Sequence, residues 1–139
     1  DSNDILEWRN DVVTRNMSFD TNEISVDAHT RWFSSSLNSP TRHLYIGFDD
    51  KNKIGICRFD FDSNSQQSEI SINLNPRFRG KGMSKDMLNS AITVFLKECK
   101  SPIIARIKKE NIASIRLFES CGFVANSTQD NNLNYIFLI

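Results

Sequence analysis

The sequence predicts an α/β or α+β fold built on a twisted mixed sheet. Helical and strand-like patterns are interleaved along the chain. Three alternating runs, His43–Phe48, Ile54–Phe61 and Glu69–Leu74, precede a long amphipathic stretch, Met83–Leu96. A short apolar run, Ile103–Ile107, follows and reads as a buried strand. Strand, helix and strand in that order make a parallel βαβ unit with a right-handed crossover.

The 139 residues suit a single domain, 1–139, with one core. Seventeen basic and seventeen acidic residues give a net charge of zero, so nothing pulls the chain broadly toward nucleic acid or an anionic membrane. Cys57, Cys99 and Cys121 are odd in number and widely spaced. They form no CxxC pair and no metal-like set with His29 and His43, so reduced thiols, a cytoplasmic location and no metal are expected. No apolar run is long enough to span a bilayer, and nothing resembles a signal peptide. The chain begins at Asp1 without a Met, which leaves room for an upstream segment.

Taken in order, Ser2–Asn10 reads as a short helix capped by Ser2 or Asp4, with Ile5, Leu6, Trp8 and Val12 as apolar surface. Arg15–Ile24 reads as irregular, anchored by Phe19. Ser25 caps a second helix that runs to Leu37 and ends before Ser39-Pro40. His43–Phe48 and Ile54–Phe61 form a hairpin around a polar turn. Gly55 inside the second strand implies a bulge or a close backbone approach. Arg58 and Asp60, two apart, share a side of that strand and either pair or line a site. Ser63–Ser68 is a polar loop. In the third strand Ile70, Ile72 and Leu74 share one face, and Glu69, Ser71 and Asn73 share the other. Met83, Met87, Leu88, Ala91, Ile92, Val94 and Phe95 form the stripe of the long helix. Asn111 caps a fourth helix, and Gly122 supplies the left-handed residue beyond its end. Phe123–Thr128 and Leu133–Ile139 close the chain as two strands.

The most informative stretch is Asn75-Pro76-Arg77-Phe78-Arg79-Gly80-Lys81-Gly82-Met83-Ser84. It turns a strand into a helix. Two glycines two apart let several N–H groups point one way, and the helix start adds free donors and partial positive charge. With Arg77, Arg79 and Lys81, the turn suits a phosphate or pyrophosphate. A Rossmann fingerprint would need glycine where Lys85 stands, and a Walker P-loop needs a longer glycine spacing ending in Gly-Lys-Ser/Thr. Neither is present.

Arg77-x-x-Gly80-x-Gly82, then a buried strand, then Asn111-x-x-Ser114-x-x-Leu117-Phe118-x-x-x-Gly122-Phe123 resembles the GNAT superfamily of N-acetyltransferases. The resemblance is strongest from Glu69 to Phe123. It implies a GNAT fold of about six strands and four helices, with the first family strand absent. It also implies acetyl-CoA as cosubstrate. Arg79, Gly80, Lys81, Gly82, Met83 and Ser84 would hold its pyrophosphate, mostly through backbone N–H groups. Ile72, Asn73 and Leu74 would splay from the Pro102–Ile107 strand and bond the pantetheine arm. Asn111, Ser114 and Phe118 would flank the thiol end. The family often has Tyr at the Phe118 position, where a phenol protonates the leaving thiolate, and Phe118 cannot do this.

Trp8-Arg9-Asn10-Asp11, Ser18-Phe19, His29-x-x-Trp32-Phe33, Arg58-Phe59-Asp60 and Glu69-Ile70-Ser71-Ile72 look like one branch of that superfamily. It acetylates amino groups of nucleotide-linked sugars in bacterial surface-polysaccharide pathways, including those of pseudaminic-acid type. The partner implied is a small-molecule amine, with a homodimer left open. Arg9, His29, Trp32 and Arg58 are the expected acceptor pocket. Glu69 is the first candidate for general base, with His29 and Asp60 behind it, against the plainer reading of a solvated strand-start residue. Acetylation of protein N-termini and a non-catalytic acyl-CoA-binding module are the competing functions.

Overall fold

A computed structural model describes residues 2–138. Five α-helices and six strands follow one another as α1 (Ser2–Asn10), α2 (Val12–Met17), α3 (Val26–Asn38), β1 (Arg42–Asp49), β2 (Asn52–Asp62), β3 (Gln67–Leu74), α4 (Met83–Glu98), β4 (Ile103–Lys108), α5 (Ile112–Ser120), β5 (Val124–Gln129) and β6 (Asn132–Phe137). The strands form one sheet in the order β1-β2-β3-β4-β6-β5. β3 and β4 are parallel, and every other neighbouring pair is antiparallel.

Each face of the sheet carries its own apolar cluster. On one, Met87, Leu88, Ala91, Ile92 and Phe95 of α4 and Phe118 of α5 pack against Cys57, Phe59, Ile70, Ile103, Ala105 and Ile107. Phe59 and Phe95 stack at 4.2 Å with their planes 9° apart. Val94, expected in the α4 stripe, is instead 42% exposed. On the other face, Ile5 and Trp8 of α1 meet Ile56, Trp32, Phe33, Leu44 and Ile46.

Gly55 does both things its position implied. Gly47 pairs with Gly55 and Phe48 with Lys53, so Ile54 is an extra residue in β2. The bulge turns Ile54 toward the α4 face while Ile56 stays with α1. A Cβ on Gly55 would lie 2.6 Å from the Asn73 carbonyl oxygen. A side chain there would push against β3 just where it leaves its neighbour.

Three sequence expectations need correction. The sequence predicts an irregular segment from Arg15, yet Val12–Met17 forms a helix, giving five helices rather than four among the described residues. Val-Val-Thr-Arg-Asn-Met is short and β-branched and shows no apolar period. It is helical because Asp11 caps it by accepting from the Thr14 N–H. The Ser63–Ser68 loop is shorter than expected, because β3 starts at Gln67. Ile139, expected to end the last strand, lies outside the described residues. Ser2 and Asp4, expected to cap the first helix, both lie within α1, where Asp4 accepts from Lys53; the caps at Ser25 and Asn111 are as expected. Ser25 and Asn111 accept from Ala28 N and Ser114 N. Gly122, at φ 95°, closes α5 with bonds from its own N–H to Glu119 and from Phe123 N–H to Phe118.

Candidate active site

β3 and β4 pair only at Ser68↔Ile103 and Glu69↔Ile104, although β3 runs on to Leu74 and β4 to Lys108. The pairing is locked at its start. Ser68 N–H donates to the Pro102 carbonyl at 2.9 Å, and the buried Ser68 and Ser101 hydroxyls bond at 2.8 Å. Beyond Glu69 the strands diverge. Asn75 N–H donates to Ile54 of β2. Since backbone groups alternate along a strand, the N–H groups of Ile72 and Leu74 point away from β2, into the gap. Those amides are donors with no strand to bond.

Two cavities meet at this gap, one of about 310 Å³ and one of about 410 Å³. Both are lined by Met17, Ser18, Ile72, Asn73, Asn111 and Ser114. Leu74, Arg79, Gly80, Gly82 and Ser84 line the larger. Gly80 and Gly82 sit at φ 71° and 76°, and a Cβ on either would touch nothing, so glycine is needed there for conformation rather than space. Gly82 caps α4 without a side-chain bond, which leaves the first N–H groups of α4 free at the cavity. The turn joins a row of free strand amides, and this donor set could hold a pyrophosphate followed by an amide-bearing arm. Lys81 lies over the Phe78 ring at 5.7 Å, and the Met83 side chain lines a groove beside Tyr45 and Val94. Neither lines the larger cavity. Asn111 spends its Oδ1 on α5 and keeps its amide donor.

The smaller cavity is walled by Arg9, Arg58, Glu69, Ser71 and Arg106, with Phe118 also against it. Glu69 accepts from Arg106 Nε at 2.8 Å. Arg58 donates to Ser71 at 3.1 Å and pairs with Asp60 at 3.0 Å, so Arg58 and Asp60 do pair. Arg42 binds the same carboxylate. Arg9, Arg42 and Arg58 all sit over the Trp32 ring, at 5.8, 5.8 and 5.7 Å. Burial, then the neighbouring Arg58 charge, lowers the Arg9 pKa. Trp32 is therefore the platform behind the arginines rather than part of the cavity lining.

His29 requires a correction. It is 2% exposed, it stacks on Trp32 and Phe33, and its Nε2–H donates to the Ser2 carbonyl at 2.8 Å. Burial lowers its pKa, so it is a neutral packing group beneath α1 and not a wall of the cavity. Asp60 is committed to two arginines, which removes it as a base. Met17, Ser18, Asp20, Ser71 and Arg106 line the cavities and were not picked from sequence. The first three arrive with α2, for which the one sequence signal is Asp11-x-x-Thr14 as a cap.

The family described as "Acetyltransferase (GNAT) domain" matches residues 1–124. The chain belongs to the GNAT acetyltransferase family. It is an acetyl-CoA-dependent acetyltransferase, and the divergence of β3 from β4 is where this GNAT chain presents its free amides. YwnH of Bacillus subtilis (strain 168), provisionally named a phosphinothricin acetyltransferase, is 24% identical over 121 residues, covering 84% of this chain and 73% of YwnH. The spermidine N-acetyltransferase of Vibrio cholerae, in complex with CoA and spermine, superposes with a TM-score of 0.82 at 18% identity, over 98% of this chain and 87% of its own. The Campylobacter jejuni N-acetyltransferase PseH, in complex with acetyl coenzyme A, gives 0.77 at 17% identity, over 99% and 89%. At such identities the structural likeness is one of fold. Among the described residues of this GNAT domain, no three His, Cys, Asp or Glu side chains gather to hold a metal ion, and no helix is long and apolar enough to cross a membrane.

Proposed function

We propose that the protein acetylates the amino group of a nucleotide-linked sugar, as in surface-polysaccharide synthesis. One observation carries this reading. Arg9, Arg42 and Arg58 crowd around Trp32, Asp60 pairs with Arg42 and Arg58, and Arg9 and Arg58 face the smaller cavity. Such a wall attracts a phosphate-bearing acceptor, which arginine engages bidentately. A polycation like the spermine bound by the Vibrio cholerae enzyme would meet three arginines, Arg9, Arg58 and Arg106, beside two carboxylates, Asp20 and Glu69.

The thioester of acetyl-CoA supplies the activated acyl group. The Gly80–Gly82 turn and the free start of α4 hold the pyrophosphate, and Asn111 steadies the arm. Alignment across the gap supplies much of the rate. The Ile72 N–H donates to the carbonyl oxygen as negative charge develops there. Glu69, on the wall of the acceptor cavity, takes the proton from the incoming ammonium directly or through water. The amine attacks the thioester carbonyl carbon, the C–S bond breaks, and the coenzyme thiolate takes its proton from water, since Phe118 carries no hydroxyl. Arg106 holds the Glu69 carboxylate in place.

Thiol release with acetyl-CoA against a panel of UDP- and CMP-linked amino sugars, spermidine and N-terminal peptides tests the reading. A nucleotide amino sugar should give the highest kcat/KM, and its parent nucleotide, UDP or CMP, should compete with it and not with acetyl-CoA. Preference for spermidine or a peptide overturns it.

A further inference from the structure

Arg79 belongs to the coenzyme turn by sequence, yet its side chain leaves the turn. Its Nη2 donates to Asp11 Oδ2 and, at 2.8 Å, to Thr14 Oγ1. The same Asp11 oxygen accepts from the Thr14 N–H at 3.2 Å and so caps α2. α2 is six residues long and buries none of them, with Val12 and Val13 59% and 55% exposed. A helix so short has little stability of its own, and this one draws none from a core. Polar ties decide where it lies. Besides Arg79, Lys108 Nζ donates to the Asn16 carbonyl at 3.3 Å; within the helix itself the Ser18 hydroxyl donates to the Thr14 carbonyl at 2.7 Å. Asn10 closes the base of the loop with two 2.8 Å bonds to the Ile24 backbone. The far end of α2 supplies Met17 and Ser18, which line both cavities.

We propose that Arg79 is a positioning residue for the acceptor. Acting through Asp11 and Thr14, it holds α2 so that Met17 and Ser18 close the junction of the two cavities. It thereby links coenzyme at the glycine turn to the acceptor beyond the gap. The linkage is reciprocal: whatever factor acetyl-CoA adds to acceptor affinity, the acceptor adds to acetyl-CoA affinity. The inference rests on the acetyl-transfer reading but concerns a tie which that reading does not use.

Arg15 lies inside α2, so native-state tryptic cleavage after Arg15 reports how firmly the helix is held. Arg79→Ala and Asp11→Asn should each speed that cleavage about tenfold, and Arg79→Lys should do so less. The Arg79→Ala/Asp11→Asn double variant should be no faster than the faster single variant, since both remove one tie. Acetyl-CoA should slow cleavage in the unaltered protein and not in Asp11→Asn. With a UDP-linked 4-amino sugar as acceptor, Asp11→Asn should raise the acceptor KM about fivefold and lower kcat less than twofold. Unaltered cleavage in Arg79→Ala, additive effects in the double variant, or an unchanged acceptor KM overturns the proposal. If no amine is acetylated, the acetyl-transfer reading falls, and the cleavage series still decides the tie on its own.

Discussion

Glu69 and Ile104 are the last residues that pair β3 with β4, and from there to Leu74 the open side of β3 has no strand beside it. The Ile72 N–H lies in that open stretch. Proline at 72 would delete this donor without removing a ladder bond, because the lost N–H faces the gap. Ile72→Pro should lower kcat about 100-fold, the usual cost of removing one oxyanion donor. Acetyl-CoA affinity by calorimetry should change far less. A kcat within threefold of normal would show that another group polarises the carbonyl.

Glu69 and Arg106 meet at 2.8 Å on the wall of the acceptor cavity. Glu69→Gln should lower turnover about 100-fold or more, as loss of a general base does, with little change in acetyl-CoA affinity. Arg106→Ala should lower turnover by a smaller factor, because it frees the carboxylate without removing it. Steady-state kinetics beside coenzyme titration separates the two effects. Near-normal turnover in Glu69→Gln would take Glu69 out of the role.

Gly82 and Gly55 should fail in different ways. Alanine at 82 meets no atom, and its cost is the left-handed conformation at φ 76°, about 1 kcal/mol. Its main consequence should be weaker acetyl-CoA binding, with the melting temperature only slightly lowered. Alanine at 55 strikes the Asn73 carbonyl at 2.6 Å, and overpacking of that kind costs about 1–3 kcal/mol. Gly55→Ala should therefore lower the melting temperature clearly. Equal thermal shifts in the two variants would contradict this division.

The hydrogen bond from Arg79 holds the Asp11 carboxyl below its ordinary value of 3.8; the Thr14 backbone helps, and burial opposes. A carboxyl whose folded value is depressed stabilises the fold fully above its unfolded value, and that contribution is lost as pH falls through the folded one. The melting-temperature gap between the protein and Asp11→Asn should be constant from neutral pH down to about 5 and close as pH falls below 3.8. A gap that persists at lower pH would mean the carboxylate charge is not what holds α2.

Much of the fold was legible because its signals are local. The Met83–Leu96 stripe, the Ser25 and Asn111 caps and the alternation in β3 are each set by neighbours in sequence. The conformation of the Gly80–Gly82 turn was legible for the same reason, since two positive-φ positions before a helix need no distant partner. The acceptor wall was harder. Arg9 and Arg58 were picked, but so was His29, whose partner is the Ser2 carbonyl of another element. Trp32 was read as a binding face and is the ring on which three arginines from three elements converge.

By itself the sequence determined the order of every element but α2, the family, and a glycine turn that opens a helix. These depend on periodicity, caps and glycine conformation, which act over a few residues. Only the tertiary structure decided where β3 parts from β4, which amides are thereby left free, and which side chains share a cavity. α2 shows why. Nothing in Val12–Met17 makes it a stable helix; Asp11 caps it, and Arg79, far along the chain, reaches back to that same carboxylate.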